Sequence, residues 1–235
     1  MGLSSGLTLT LLNWEEAFPI DARTELLNFG LRSVTGEFVA FLDYDDVIYP
    51  EAYELLAKRL RSTQSAIAFA GVRVVQAEVF PSFLHLAAAH TAPFAGENLM
   101  DLFNANFCPI HSYLIDRSKL DPDILHFDSQ MTWEEDYDLL LKICAAYPSD
   151  FEAVKAVIGD YYFKNDGSNS VPTDGRLSEQ RKLEYERVQA YIEVRRRTTL
   201  VSPRVQEKLG IVPPLPTLTI RGLLNRGTVR TTGVQ

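Results

Sequence analysis

One stretch, an apolar run that ends in a crowd of carboxylates, constrains this chain more than any other. Residues Phe38–Asp46 read FVAFLDYDD. Val39 between two phenylalanines, with Gly36 just before, predicts a short strand buried on both faces. Asp43, Asp45 and Asp46 then fall at its carboxyl end, the rim at which open α/β sheets bind ligands. Three carboxylates this close repel one another. Either they stand in solvent, with Asp46 capping the next helix, or they share a cation, and hard oxygen donors suit Mg2+ or Mn2+. These nine residues leave both readings open.

The flanks supply helices. Leu26, Leu27, Gly30, Leu31 and Val34 recur at helical spacing, which predicts a helix over 22–34 with Asp21 as its cap. Pro50 is suited to a first helical position, and Ala52, Leu55, Leu56 and Leu60 mark a buried stripe behind it. Ala66–Val75, Ile110–Ile115 and Val154–Phe163 read as strands, Leu7–Leu12 as another, and Asn98–Asn106 as a short helix. Glu78–Ala95, rich in Ala, Phe and His, reads as a lid or acceptor loop. Its His85 and His90 have poor spacing for metal ligands. Strands alternating with helices predict an α/β domain.

A second acidic cluster lies far along the chain, in Phe127–Pro148 (FDSQMTWEEDYDLLLKICAAYP). Thr132 and Glu135 have capping-box spacing, so a helix is expected from about Trp133 with Tyr137, Leu140, Leu141 and Cys144 facing the core. Glu134, Glu135 and Asp136 crowd its first turn. Acids there complement the helix dipole without any function. A carboxylate so placed is also oriented as a general base requires.

Bulk numbers exclude several classes. No segment approaches the ~18 uninterrupted apolar residues of a membrane span, and the first residues lack the pattern of a signal peptide. Cys108 and Cys144 lie far apart in apolar settings, as buried reduced thiols would. From Arg176 onward there are 12 basic and 5 acidic residues, against 11 and 26 before it. So acidic a body argues against nucleic acid as a partner. The basic end offers peripheral contact with an anionic membrane surface or a partner. Arg176–Arg197 is expected to be a charged helix with a thin stripe at Leu177, Leu183, Val188 and Tyr191. The Pro-, Thr- and Gly-rich remainder is expected to be extended or disordered.

Three separated pieces together resemble the family 2 glycosyltransferases. They are LNFGLRSVTGEFVAFLDYDD (Leu27–Asp46), the acidic run Glu135–Leu139 preceded by Phe127-Asp128, and YYFKNDGSNS (Tyr161–Ser170). The resemblance implies a GT-A-like, Rossmann-like α/β fold: a mixed sheet flanked by helices, with a C-terminal helical extension. It places the catalytic domain at 1–172, lacking the family's usual N-terminal strand–helix–strand unit, then the charged helix at 173–200 and a tail at 201–235. It further implies a cytoplasmic enzyme of polysaccharide biosynthesis. Such an enzyme moves a sugar, with inversion, from a nucleotide-sugar donor to a glycan or lipid-linked acceptor, assisted by Mn2+ or Mg2+.

Residue by residue, Asp136 matches the base, with Glu135 as the substitute. Asp45 matches the metal ligand with Asp46 in support, and Asp43 a group holding ribose or water. Arg23 and Asn28 match donor-lining positions, and Trp133 is placed to stack on an acceptor sugar. The closing turn often carries a histidine, where this chain has Lys164, Asn165 and Asp166. Two alternatives use the same residues. One is a degenerate domain that binds a partner or glycan without turnover. The other is a haloacid dehalogenase-like phosphatase with Asp43 as nucleophile, Asp45 as acid and Gly159-Asp160 as its late motif. That reading leaves the second acidic cluster unexplained.

Overall fold

The longest apolar run becomes the middle of a sheet. In the computed structural model, which describes residues 9–13, 15, 22–90, 94–166 and 179–231, β3 (Ile67–Val79) pairs in parallel with β6 (Ser149–Lys164) on one side. Its other side pairs antiparallel with β5 (Tyr113–Asp116) and then with β4 (Leu84–His90). The strand order is β1-β5-β3-β6-β2, with β4 off that path. β1 (Phe38–Val39) and β2 (Val47–Ile48) are two-residue edge strands, each antiparallel to its neighbour.

That order decides what happens to the acidic stretch. β1 and β2 lie at opposite edges, so the seven residues between them, Ala40–Asp46, must cross the sheet. Four interstrand spacings amount to about 19 Å, and a chain extending ~3.3 Å per residue covers that with little slack. The expected strand buried on both faces is therefore a two-residue edge strand followed by an extended crossing. Val39 alone among the crossing's lead-in is buried, while Leu42 and Tyr44 are exposed. Gly159 permits the landing of β2 on β6: a side chain there would meet the Val47 carbonyl oxygen at 2.3 Å.

Side chains of period two sort the core into two layers. Ile67, Phe69, Tyr113 and Ile115 face one cluster with Leu139, Leu140 and Ile143 of α4 (Glu135–Ala146). Ala68, Ala70 and Leu114 face the other, where their small size admits Ala52, Leu56 and Leu60 of α2 (Ala52–Ser62). Asn98 caps α3 (Leu99–Asn104) through the Met100 and Asp101 amides. Cys108 and Cys144 are buried free thiols.

Several expectations are corrected. The apolar stripe of α1 (Arg23–Ser33) is only half-buried, and the residues it buries are Thr24 and Asn28. Their side chains bond to the backbone at Met131 and Phe127, so polar groups dock this helix. Its apolar stripe lines an open groove of about 690 Å³ with Val39, Ala40 and Phe41. The capping box at α4 does not form: Glu134 holds the cap position with no side-chain cap bond, and the Thr132 hydroxyl is buried without a partner. Glu78–Ala95 contains the exposed hairpin strand β4, whose His85 and His90 meet Glu78 and Gln76 of β3.

The largest difference is at the C-terminus. The charged helix α5 runs over Glu179–Thr198, and Val188 and Ile192 are its buried residues while Leu183 is exposed. The expected tail contains α6 (Pro203–Lys208) and α7 (Ile220–Thr231). Val201, Val205, Leu218, Ile220 and Leu223 join the cluster that holds α4, so no boundary separates 201–223 from the body. The buried Gln206 amide donates to the Val201 and Leu215 carbonyls and accepts from the Leu215 amide. Those side-chain bonds give a Pro-rich segment the backbone partners its own periodicity does not supply. Asp21, Leu177 and the Ser-rich turn at 167–170 lie outside the described residues, as do 7 and 8. Residues 9–12 form no strand.

Candidate active site

Arg23, the first residue of α1, joins the two acidic clusters. Its guanidinium grips Asp43 through two oxygens, at 3.1 and 3.2 Å, and donates from Nε to Glu135 Oε1 at 2.6 Å. A planar fork with fixed donors suits two carboxylates at once. Burial opposes the charge on Arg23, but Glu135 and Asp43 outweigh it and raise its pKa. Arg23 thus reaches a carboxylate 20 positions on and another 112 positions on, and brings both onto one cation.

The crossing fixes the other two acids differently. Asp46 points inward with its side chain 3% exposed. One of its oxygens accepts from the Tyr162 amide at 3.1 Å, and the other lies 3.1 Å from His111 Nδ1. Asp45 accepts from Lys164 Nζ at 2.8 Å through Oδ2, and its side chain remains 27% exposed. This hydrogen bond raises the Lys164 pKa above its ordinary value. Tyr161 registers all these groups: burial and then the fields of Asp46, Asp43, Asp45 and Asp136 push its hydroxyl up to about 12. Its hydroxyl is thus within the fields of both clusters.

Asp136 has the most displaced carboxyl. Burial, followed by the adjacent charge of Glu135, pushes it up to about 7. The Tyr137 amide, donating to its Oδ1 at 2.7 Å, and Arg23 act in the opposite direction. The residue as a whole is half-buried. Just ahead of it the backbone turns through the left-handed region at Glu134, with φ 55°. A non-glycine residue rarely adopts this conformation, and it marks strain held by its surroundings. The Glu134 carboxylate is held from α5 by Gln189 at 2.8 Å. Raised pKa and partial exposure coincide at Asp136, and backbone strain lies two residues ahead of it at Glu134, a combination a general base would use.

Other candidates fare differently. Asn28 is buried, and both ends of its amide bond to the Phe127 backbone at 2.9 Å, so its contribution is to the scaffold. Trp133 packs on α5, its ring 5.7 Å from that of Tyr185 and 5.9 Å from the Arg181 guanidinium. Asp160, the late acid of the phosphatase alternative, is gripped by Arg73 at 2.8 and 3.0 Å and by the Tyr49 hydroxyl at 2.8 Å. Burial alone would raise it, but Arg73 and Tyr49 prevail and hold it below its usual value. Its role is to lock β3 to β6.

His111 was not among the expected site residues. It is fully buried, stacks parallel to Tyr161 at 6.3 Å, and has no hydrogen bond of good geometry. Its one sequence signal was a polar residue inside the apolar run CPIHSYLI.

A divalent cation is consistent with this donor set. Among the described residues no three His, Cys, Asp or Glu side chains gather to hold a metal. Mg2+ characteristically takes one or two carboxylates and leaves its remaining positions to water and phosphate oxygens. Asp45, with one oxygen bonded to Lys164, would be the carboxylate to serve. Asp46, expected as a second ligand, faces inward.

Residues 24–122 match the family described as Glycosyl transferase family 2. The match takes in the strand-end acids and stops before α4. A comparison with curated proteins finds no match. The mixed sheet flanked by helices is GT-A-like.

Proposed function

We propose, for a chain that contains a family 2 glycosyltransferase domain over residues 24–122, that it transfers a sugar from a nucleotide-diphosphate donor to the hydroxyl of a glycan or lipid-linked acceptor, with inversion. The single observation that carries this reading is the Arg23 bridge, which puts Asp43 and Glu135 on one cation. Asp136 would take the acceptor's proton as its oxygen attacks the anomeric carbon and the bond to the diphosphate oxygen breaks. A carboxyl near 7 is well matched to that task at neutral pH. Glu135, tied to Arg23, would keep Asp136 oriented and poised rather than replace it.

Asp45 would hold Mn2+ or Mg2+, which when bound supplies Lewis-acid stabilisation of the leaving diphosphate. Asp46 would set the crossing in place through Tyr162 and His111, and Asp43 with Arg23 would face the nucleotide. Trp133 would reach an acceptor only at the margin of its packing on α5. The reading carries with it a cytoplasmic enzyme of polysaccharide synthesis, in reach of an anionic lipid surface through its basic C-terminal helices. No helix among the described residues is long and apolar enough to cross a membrane.

The second reading, binding without turnover, draws on the fact that groups of the chain itself already hold all three strand-end carboxylates. Calorimetry with UDP-, GDP- and dTDP-sugars, with and without Mn2+, separates the two when combined with transfer assays. Under the transferase reading Asp45→Ala loses metal-dependent donor binding. Asp136→Asn keeps that binding and loses transfer by about 10²–10⁴-fold, the usual contribution of a general base. Normal transfer by Asp136→Asn would refute the base assignment.

A further inference from the structure

We infer that Gln189 of α5 is a positioning residue for Asp136: by holding the Glu134 side chain, it keeps the left-handed turn from which the first turn of α4 presents Asp136 to the site. The inference rests on the transferase reading above and extends the site to a helix outside the matched residues 24–122.

Three observations lead to it. First, α4 starts from a backbone conformation its sequence does not favour. Among the described residues Glu134 is the one non-glycine residue with positive φ, at φ 55° and ψ 26°. It makes no side-chain cap bond, and the Thr132 hydroxyl is buried without a partner. Such a turn persists where its surroundings impose it.

Second, the restraint comes from α5. Gln189 Nε2 donates to Glu134 Oε1 at 2.8 Å. Farther along α5, Arg196 donates to the Tyr137 hydroxyl at 2.8 Å and Arg195 to Asp138 Oδ1 at 2.6 Å. Tyr137 and Asp138 lie three and four residues after Glu134, on the same side of the turn. Glu135, between them in sequence, turns instead to Arg23 of α1. The two arginines brace a helix already under way, whereas Gln189 holds the strained residue that starts it.

Third, Glu134 is coupled electrically to Asp136. Burial and Glu135 do most to raise the Asp136 carboxyl, the Tyr137 amide and Arg23 oppose them, and the Glu134 charge raises it further. Tyr161 of β6, Tyr113 of β5 and Cys108 also lie within its field. Burial raises Glu134 itself, Gln189 and Arg196 lower it, and Glu135 raises it. Without the Gln189 amide, Glu134 takes up its proton at higher pH, and Asp136 loses part of a repelling charge.

In Gln189→Leu, similar in size but without a donor, the Asp136 pKa should therefore fall by roughly half a unit to one unit. On the plateau above about pH 8, kcat should fall about tenfold with donor KM little changed, because the base is misaimed rather than removed. Gln189→Lys, which keeps a donor for Glu134, should restore most of kcat. In a Glu134→Gly background, glycine adopts the left-handed turn without strain and offers Gln189 nothing to hold. Adding Gln189→Leu there should change neither quantity further.

Carboxyl-carbon NMR, with the Asp136 resonance assigned by its loss in Asp136→Asn, reads the pKa without turnover. Steady-state kinetics reads kcat and KM, and circular dichroism checks the fold. A lower Asp136 pKa and a lower kcat in Gln189→Leu, both absent from the Glu134→Gly background, support the inference. A pKa that stays in place, an unchanged kcat, or losses equal in both backgrounds overturn it and leave Gln189 as a tie between two helices. If the wild type transfers no sugar, the transferase reading falls on that result alone, and the NMR titration still decides whether Gln189 governs Asp136.

Discussion

Asp136→Asn should make the protein more stable while it removes activity, and the gain should depend on pH. The ordinary aspartate value is 3.8, and in the folded protein the Asp136 carboxyl titrates near 7. At 1.36 kcal/mol per unit, that difference sets a ceiling of about 4 kcal/mol on the cost of holding the group ionised. Partial accessibility brings the working figure to about 2 kcal/mol, since solvent screens part of the penalty. The folded pKa is raised, so between 3.8 and about 7 the native state holds a proton that the unfolded chain has released, and stability falls as pH rises. Above about 7 the whole penalty applies. Asparagine carries no charge to desolvate and can still accept from the Tyr137 amide. Urea unfolding of both proteins at pH 5 and pH 8 should show the variant's advantage growing by about 1–3 kcal/mol between the two. An advantage that is absent, or equal at both pH values, would show that Asp136 is not held protonated by its surroundings, and the case for it as a base would lose its physical ground.

Four further outcomes can be checked. The kcat/KM of the wild type should climb through about pH 7 as Asp136 ionises, and a pH–rate profile without that limb would count against the assignment. Arg23→Met should move the limb to higher pH, because Arg23 is a charge that favours the ionised form of Asp136. The same variant should weaken donor binding, since Asp43 and Glu135 lose their common partner. Gln206→Leu should cost about 2–3 kcal/mol in urea unfolding, because backbone groups at Val201 and Leu215 lose their partner inside the fold. A cost near zero would mean the 201–223 segment is less integral than its burial implies.

How much of this was legible beforehand depends on whether the signal was local. The helix at 52–62, the short helix capped by Asn98 and the central strand from Ile67 all follow from periodicity or cap chemistry within a few residues. The buried thiols and the core face of α4 follow in the same way. The acid clusters were visible because unlike charges were missing nearby in sequence. Their partners were not visible: Lys164 lies 119 positions from Asp45, and Tyr162 116 positions from Asp46. The segment after Val201 reads as disordered because its order comes from one buried amide and from contacts with a core built elsewhere.

Composition and spacing were therefore enough to say that this is an α/β protein with two carboxylate clusters. Strand order alone stretches Phe38–Asp46 across the sheet and turns Asp46 inward, with Asp45 left accessible. The reason is physical. Whether a residue lies in a helix or strand is largely a matter of its near neighbours, whereas the charge state and reach of a side chain depend on whatever the rest of the fold packs against it.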